Sequence, residues 1–195
     1  MYQYGVAYKP YGVLSKHYGD ALGRQTLSSL GIPTHLHPAG RLDLDSEGLL
    51  VLTDDGQTLH RLTHADHSHA KTYFVQVLGR PDVKALRHLR EGVEITLGRT
   101  RPADVEVLAA APPLPEAPLR LPSPEKTSWL RMVLHEGMNR QIKRMTAAVG
   151  HPTVRLVRVA IGRLTLPADL EPGSWQELNA VERQVLLADV WPRGR

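Results

Sequence analysis

Apolar positions recur along this chain in two rhythms, every second residue in some segments and every third or fourth in others. Tyr4 to Tyr8 and Gly48 to Thr53 read as strands, as does Thr72 to Leu78, where Tyr73, Val75 and Val77 alternate with Phe74 and Gln76. Asp55 is placed to cap a short helix through Leu62. Pro81 opens a second helix with Val83, Leu86 and Leu89 on one face, closing near Gly92. Further on, Ser128 to His135 is strand-like and Asn139 to Val149 is helical, closed by Gly150. That helix carries Ile142, Met145 and Val149 on its apolar side, with Arg140, Lys143 and Arg144 on or beside the other. Thr153 to Ile161 reads as a strand in which Val154 and Leu156 are interleaved with Arg155 and Arg158. Asn179 and Glu182 form a capping box before a last helix bearing Val181, Val185 and Val190. Short strands and scattered helices without strict alternation predict an α+β fold with a mixed or antiparallel sheet.

The pattern breaks once, between Ala109 and Ser128, where Pro112, Pro113, Pro115, Pro118, Pro122 and Pro124 exclude a helix or a central strand. This stretch is either a linker between domains or an excursion between neighbouring strands. At about 100–200 residues per domain, a chain of 195 residues accommodates one large domain or two small ones.

Composition narrows the chemistry. The chain has no cysteine, which excludes disulfides, thiolate zinc sites, thiol nucleophiles and iron–sulfur clusters. No apolar run reaches the length of a membrane span, and the N-terminal residues do not form a signal peptide, so a cytoplasmic protein is expected. Net charge is only +4, yet residues 131–163 hold seven basic side chains against the single acid Glu136. Arginine dominates the basic residues and suits bidentate phosphate contacts. A polyanionic partner, nucleic acid ahead of a membrane surface, is expected.

The densest cluster of reactive side chains is Gly40-Arg41-Leu42-Asp43-Leu44-Asp45-Ser46-Glu47-Gly48. Asp43, Asp45, Glu47, Gly48 and Asp54 fall at the spacing of a calcium loop, although Asp54 stands where a longer bidentate Glu is usual. A carboxylate pair for glycoside chemistry is a second reading, opposed by an aromatic content of only 5%. A plain polar turn is the third. His60, His64, His67 and His69 form a separate cluster, with His60 and His64 at the spacing of helical zinc ligands but no flanking Glu or thiolate. Solvated or RNA-facing histidines fit that cluster better than a metal.

Four segments change this balance together: Lys9-Pro10-Tyr11-Gly12, the Arg41-Leu42-Asp43 segment running on to Thr53, Lys71-Thr72-Tyr73-Phe74-Val75, and Glu136-Gly137-Met138-Asn139-Arg140-Gln141-Ile142-Lys143-Arg144-Met145. In this order and spacing the chain resembles the RsuA-type family of ribosomal RNA pseudouridine synthases over residues 4–175. It is most similar to the RluE branch, which acts on a single uridine of large-subunit rRNA. Met138 departs from the basic residue frequent at that position. The Lys-Pro motif starts at residue 9, so the accessory N-terminal RNA-binding domain of many members is not expected.

The resemblance implies a single pseudouridine synthase domain over residues 1–195, α+β, with a long mixed sheet, flanking helices and a central catalytic cleft. The Pro-rich stretch then becomes an excursion within that domain. It implies isomerisation of a uridine in large-subunit (23S) rRNA, with Asp43 as catalytic carboxylate, Lys143 as its basic partner and Tyr73 stacking on the base. Lys9, Arg41, Arg140 and Arg144 are the RNA-binding candidates. The reaction involves neither redox nor hydrolysis, so the resemblance implies no cofactor and no metal. A monomer without membrane attachment is expected. A catalytically silent RNA-binding or ribosome-assembly factor on the same scaffold is the alternative.

Overall fold

Leu49-Leu50-Val51-Leu52 offers no polar position to turn toward water, and the computed structural model buries the strand that contains it along its whole length. The structure describes residues 2–19, 21–64, 67, 69–117 and 121–192. In chain order the strands are β1 (Tyr4–Lys9), β2 (His37–Pro38), β3 (Glu47–Thr53), β4 (Lys71–Leu78), β5 (Glu94–Ile95), β6 (Gly98–Arg99), β7 (Asp104–Val107), β8 (Thr127–Leu134), β9 (Thr153–Ile161), β10 (Leu164–Thr165) and β11 (Trp175–Glu177). The helices are α1 (Gly56–Thr63), α2 (Val83–Glu91), α3 (Gln141–Ala148) and α4 (Ala180–Val190). This is the α+β class expected from the sequence, with a large mixed sheet and a separate β5–β6 ribbon.

The chain divides into two compact units, one of Met1–His69 with Arg158–Arg195 and one of Ala70–Val157. In the first, β1 pairs antiparallel with β3 and β11, and β2 pairs with β3. The β1–β3 register sets Tyr4 opposite Thr53 and Lys9 opposite Gly48, which carries the end of β1 to the start of β3. Ala7, Leu27, Ile32, Leu36, Leu50 and Leu52 form its core, with Leu30 and Trp175 packed against them. In the second unit β8 lies between β4 and β7, antiparallel to both. Val75, Val77, Leu89, Leu130, Met132, Ile142 and Met145 anchor its core.

Several local expectations shift by a residue or two for identifiable reasons. The α2 helix begins after Asp82 and not at Pro81, because the Asp82 carboxylate accepts from Ala85 N at 2.7 Å and takes the cap. In α4 the buried residues are Leu186 and Val190, while Val181 is exposed in the first turn. The larger correction concerns β9. Arg155 and Arg158 are buried at 8% and 3% exposure, so they do not contribute to a cationic surface. The Pro-rich stretch runs between β7 and β8 within the second unit, and its Pro118, with Leu119 and Arg120, lies outside the described residues. No helix among the described residues is long and apolar enough to cross a membrane.

Candidate active site

In the first unit, two motifs far apart in sequence meet around Asp43. Ser15 Oγ donates to Leu42 O at 2.8 Å and accepts from Leu42 N at 3.0 Å, so one hydroxyl satisfies both backbone groups of the residue before Asp43. On the other side, Gly12 N donates to Leu44 O at 2.8 Å. Gly12 has φ +80, a conformation open to glycine, which lets the chain turn sharply after Lys9-Pro10. Ser46 N donates to Asp43 O at 3.1 Å and closes the turn. Leu42 is buried and anchors the segment, whereas Arg41 is exposed and Asp43 is half-buried. A carboxylate is thus held on a backbone fixed at both neighbours while its side chain keeps access to solvent.

The turn runs directly into β3, and Gly48 governs that junction. Its φ is +105, and a Cβ there would lie 2.2 Å from Arg158 O and 2.8 Å from Arg158 N. Only glycine admits so close an approach between β3 and β9. The Arg158 side chain then donates from Nε to Leu49 O at 2.9 Å. Glu47 is 3% exposed inside β3, so Glu47 and Gly48 belong to a paired strand and not to a calcium loop between helices.

Lys9 differs from the other RNA-binding candidates. It is fully buried, and its Nζ donates to Pro10 O at 2.9 Å. A side chain held this way braces the Lys-Pro turn and presents no surface to a phosphate.

The second unit holds the remaining candidates. Tyr73 lies on β4 opposite Met132 of β8, half-buried against the core. Arg140, Lys143 and Arg144 gather at the start of α3. Arg140 is the N-cap and the only described non-glycine residue with positive φ, at φ 52 and ψ 33. Arg144 donates to Asn139 Oδ1 at 3.2 Å. Gln141 was not singled out from the sequence, yet it fixes this corner. Its buried amide donates to Glu136 Oε1 and accepts from Met138 N at 3.0 Å. Glu136 also accepts from Arg101 N at 2.8 Å. The single acid of the basic segment is therefore used to hold the loop that presents the cations.

Ser15 was likewise invisible in the sequence, because its partner Leu42 is 27 positions away and a lone serine carries no pattern. The structure brings Lys9, Arg41 and Asp43 into one unit and Tyr73, Arg140, Lys143 and Arg144 into the other.

Residues 3–148 match the RNA pseudouridylate synthase family, and the chain belongs to it. The members of this family are isomerases.

Among individual relatives, the chain is 50% identical over 171 residues to ribosomal large subunit pseudouridine synthase E of Xanthomonas campestris pv. campestris, covering 86% of this chain and 91% of that one. It is 47% identical over 173 residues to the protein of the same name from Vibrio parahaemolyticus, covering 88% and 71%. A crystal structure of pseudouridylate synthase aligns with a TM-score of 0.78 at 30% identity, over 95% of this chain and 74% of that one. The archaeal box H/ACA sRNP Nop10–Cbf5 complex shares the fold, with a TM-score of 0.55 at 18% identity, over 88% of this chain and 52% of that one.

Proposed function

We propose that this protein converts a uridine of large-subunit ribosomal RNA into pseudouridine, as a cytoplasmic monomer, with Asp43 as the catalytic carboxylate. The observation that carries this reading is the clamp on Asp43. Ser15 and Gly12, from the loop after Lys9-Pro10, fix the backbone on both sides of one half-buried aspartate. A binding surface has no need to fix a carboxylate against an RNA polyanion, whereas chemistry at a ribose carbon does.

The reaction is an internal exchange of bonds. The C1′–N1 glycosidic bond breaks, the uracil turns while still bound, and a C1′–C5 bond forms. The proton on carbon 5 leaves, and N1 ends protonated, so nothing is oxidised and no water is consumed. Asp43 acts either by attack on C1′ or through a glycal formed by loss of the C2′ proton. Either role requires an ionised carboxylate. Lys143 is assigned as the basic residue that serves it, the role the family resemblance implies.

Tyr73 is assigned to stack on the flipped uracil, where an aromatic face replaces the stacking lost in the RNA. Arg41, Arg140 and Arg144 are assigned to phosphates, which set register and not sequence. Lys9 is assigned to brace the Lys-Pro turn. The experiment is to incubate the protein with an unmodified transcript of large-subunit rRNA and map pseudouridine by carbodiimide adducts and primer extension. One new stop at one uridine is the expected result. Binding without any stop, on both the transcript and pre-ribosomal particles, would favour a silent RNA-binding factor.

A further inference from the structure

The chemistry above leaves one side-chain cluster unused. His64 follows α1, and its N–H donates to His60 O at 2.8 Å. A spacing of four places both imidazoles on one helical face, where they stack with centroids 4.7 Å apart and an interplanar angle of 24°. His67, beyond the helix, brings a third ring to 6.5 Å from His60 and 6.4 Å from His64. His60 and His64 are exposed and His67 is half-buried.

The helix end is completed by other groups. Thr63 Oγ1 donates to Leu59 O at 2.9 Å, and His69 Nε2 lies 3.1 Å from Arg61 O. Arg61 is itself turned away over the Trp191 ring at 3.8 Å. Among the described residues, the contacts of the His60 and His67 rings are with other imidazoles.

The position of this cluster gives it meaning. A Cβ at Gly40 would lie 4.0 Å from Thr63 Cγ2, so the end of α1 stands beside the segment that leads through exposed Arg41 to Asp43. The geometry does not favour a metal. Ligation needs ring nitrogens converging edge-on at about 2.0–2.1 Å, whereas these two rings are stacked face to face. No group of three or more His, Cys, Asp or Glu among the described residues is arranged to hold an ion.

We propose that His60, His64 and His67 form a stacking surface for single-stranded RNA, which holds a nucleotide neighbouring the one that Asp43 acts on. The proposal rests on the RNA-isomerase reading and deepens it. Histidine rings belong to the aromatic set on which splayed RNA bases stack, and exposed stacked rings offer a base the same kind of surface.

The test compares wild type with a His60→Gln/His64→Gln/His67→Gln variant and a His60→Tyr/His64→Tyr variant on an unmodified large-subunit rRNA transcript. Glutamine keeps a polar group but removes the ring, while tyrosine keeps an aromatic face. The triple Gln variant is expected to raise Kd and KM about tenfold and leave the single-turnover rate at saturating RNA unchanged. The Tyr variant is expected to bind close to wild type. Wild-type affinity in the triple Gln variant overturns the proposal, and so does a Tyr variant as weak as the Gln one. If the triple variant fails to melt cooperatively, the single His60→Gln change serves, with a smaller rise in Kd expected and no change in Kd overturning the proposal. A wild type that forms no pseudouridine on transcript or particle overturns the isomerase reading itself, and this proposal with it. Turnover by wild type alongside an unaffected triple Gln variant overturns this proposal alone.

Discussion

Ser15 holds both backbone groups of Leu42 through one hydroxyl, and Leu42 is buried. Removing the hydroxyl leaves a buried N–H and C=O without their partner, at a cost of about 1–3 kcal/mol. Ser15→Ala is therefore expected to lower stability by that amount in denaturant melts. It should also reduce kcat by at least about tenfold with little change in KM, because the loss falls on the placement of Asp43 and not on RNA contact. Ser15→Thr, which keeps the hydroxyl, should recover most of the rate. Among single residues, Asp43 stands out through the resemblance of the Arg41-Leu42-Asp43 segment to a family motif, since the residues alone leave a polar turn or a calcium loop open as well. Ser15 does not, since its meaning depends on a neighbour 27 positions away. Lys9 and Arg158 mislead in the opposite sense. A cation in a basic protein reads as surface, yet both are buried against backbone carbonyls.

Two elements depend on single positions in ways that can be measured. Gly48 opens β3 at φ +105 with Arg158 O only 2.2 Å from where a Cβ would stand. Gly48→Ala is expected to destabilise the fold by about 4 kcal/mol or more, visible as a thermal midpoint about 10 °C lower, because neither backbone can retreat from the sheet. Helix α1 depends on Asp55, whose carboxylate accepts from Gln57 N at 3.0 Å, Thr58 N at 3.2 Å, Thr58 Oγ1 at 2.7 Å and Tyr4 Oη at 2.6 Å. Burial pushes the Asp55 carboxyl up, but the bonds from Tyr4, Thr58 and the helix backbone outweigh it and hold it below the usual carboxylate value.

A depressed folded pKa means stability that is present above the unfolded value and lost as pH falls through the folded one. Asp55→Ala is thus expected to cost about 1–2 kcal/mol at neutral pH, with the gap from wild type closing in acid. Urea melts across that range check the sign. The helix is legible because Asp55 precedes an amphipathic run. The Gly48 contact is not legible, because a glycine in a strand does not name the partner that approaches it.

At the scale of the whole molecule, the α+β class is legible because strand and helix periods are both clear in the chain and do not alternate strictly. The division into two units is not. Thr153–Ile161 reads as one strand and is one, yet its residues on either side of Val157 belong to different units. Only long-range packing, and no local pattern, sets that boundary. The charge distribution is legible in sum but not in use. Arg155 and Arg158 are buried and Arg163 pairs with Asp189 at 2.7 Å, which leaves exposed Arg131 on β8 and the three cations at the start of α3 from the basic segment. The central claim remains that Asp43, fixed by the Lys-Pro loop, performs an isomerisation at uridine.

Release of tritium from uracil carbon 5 in unmodified large-subunit rRNA tests this claim most directly, with wild type measured beside Asp43→Asn. The account predicts one equivalent released by wild type and none by Asp43→Asn, with RNA affinity retained by both. Equal release by the two proteins would contradict the assignment of Asp43, and no release by wild type on transcript or particle would contradict the isomerase itself.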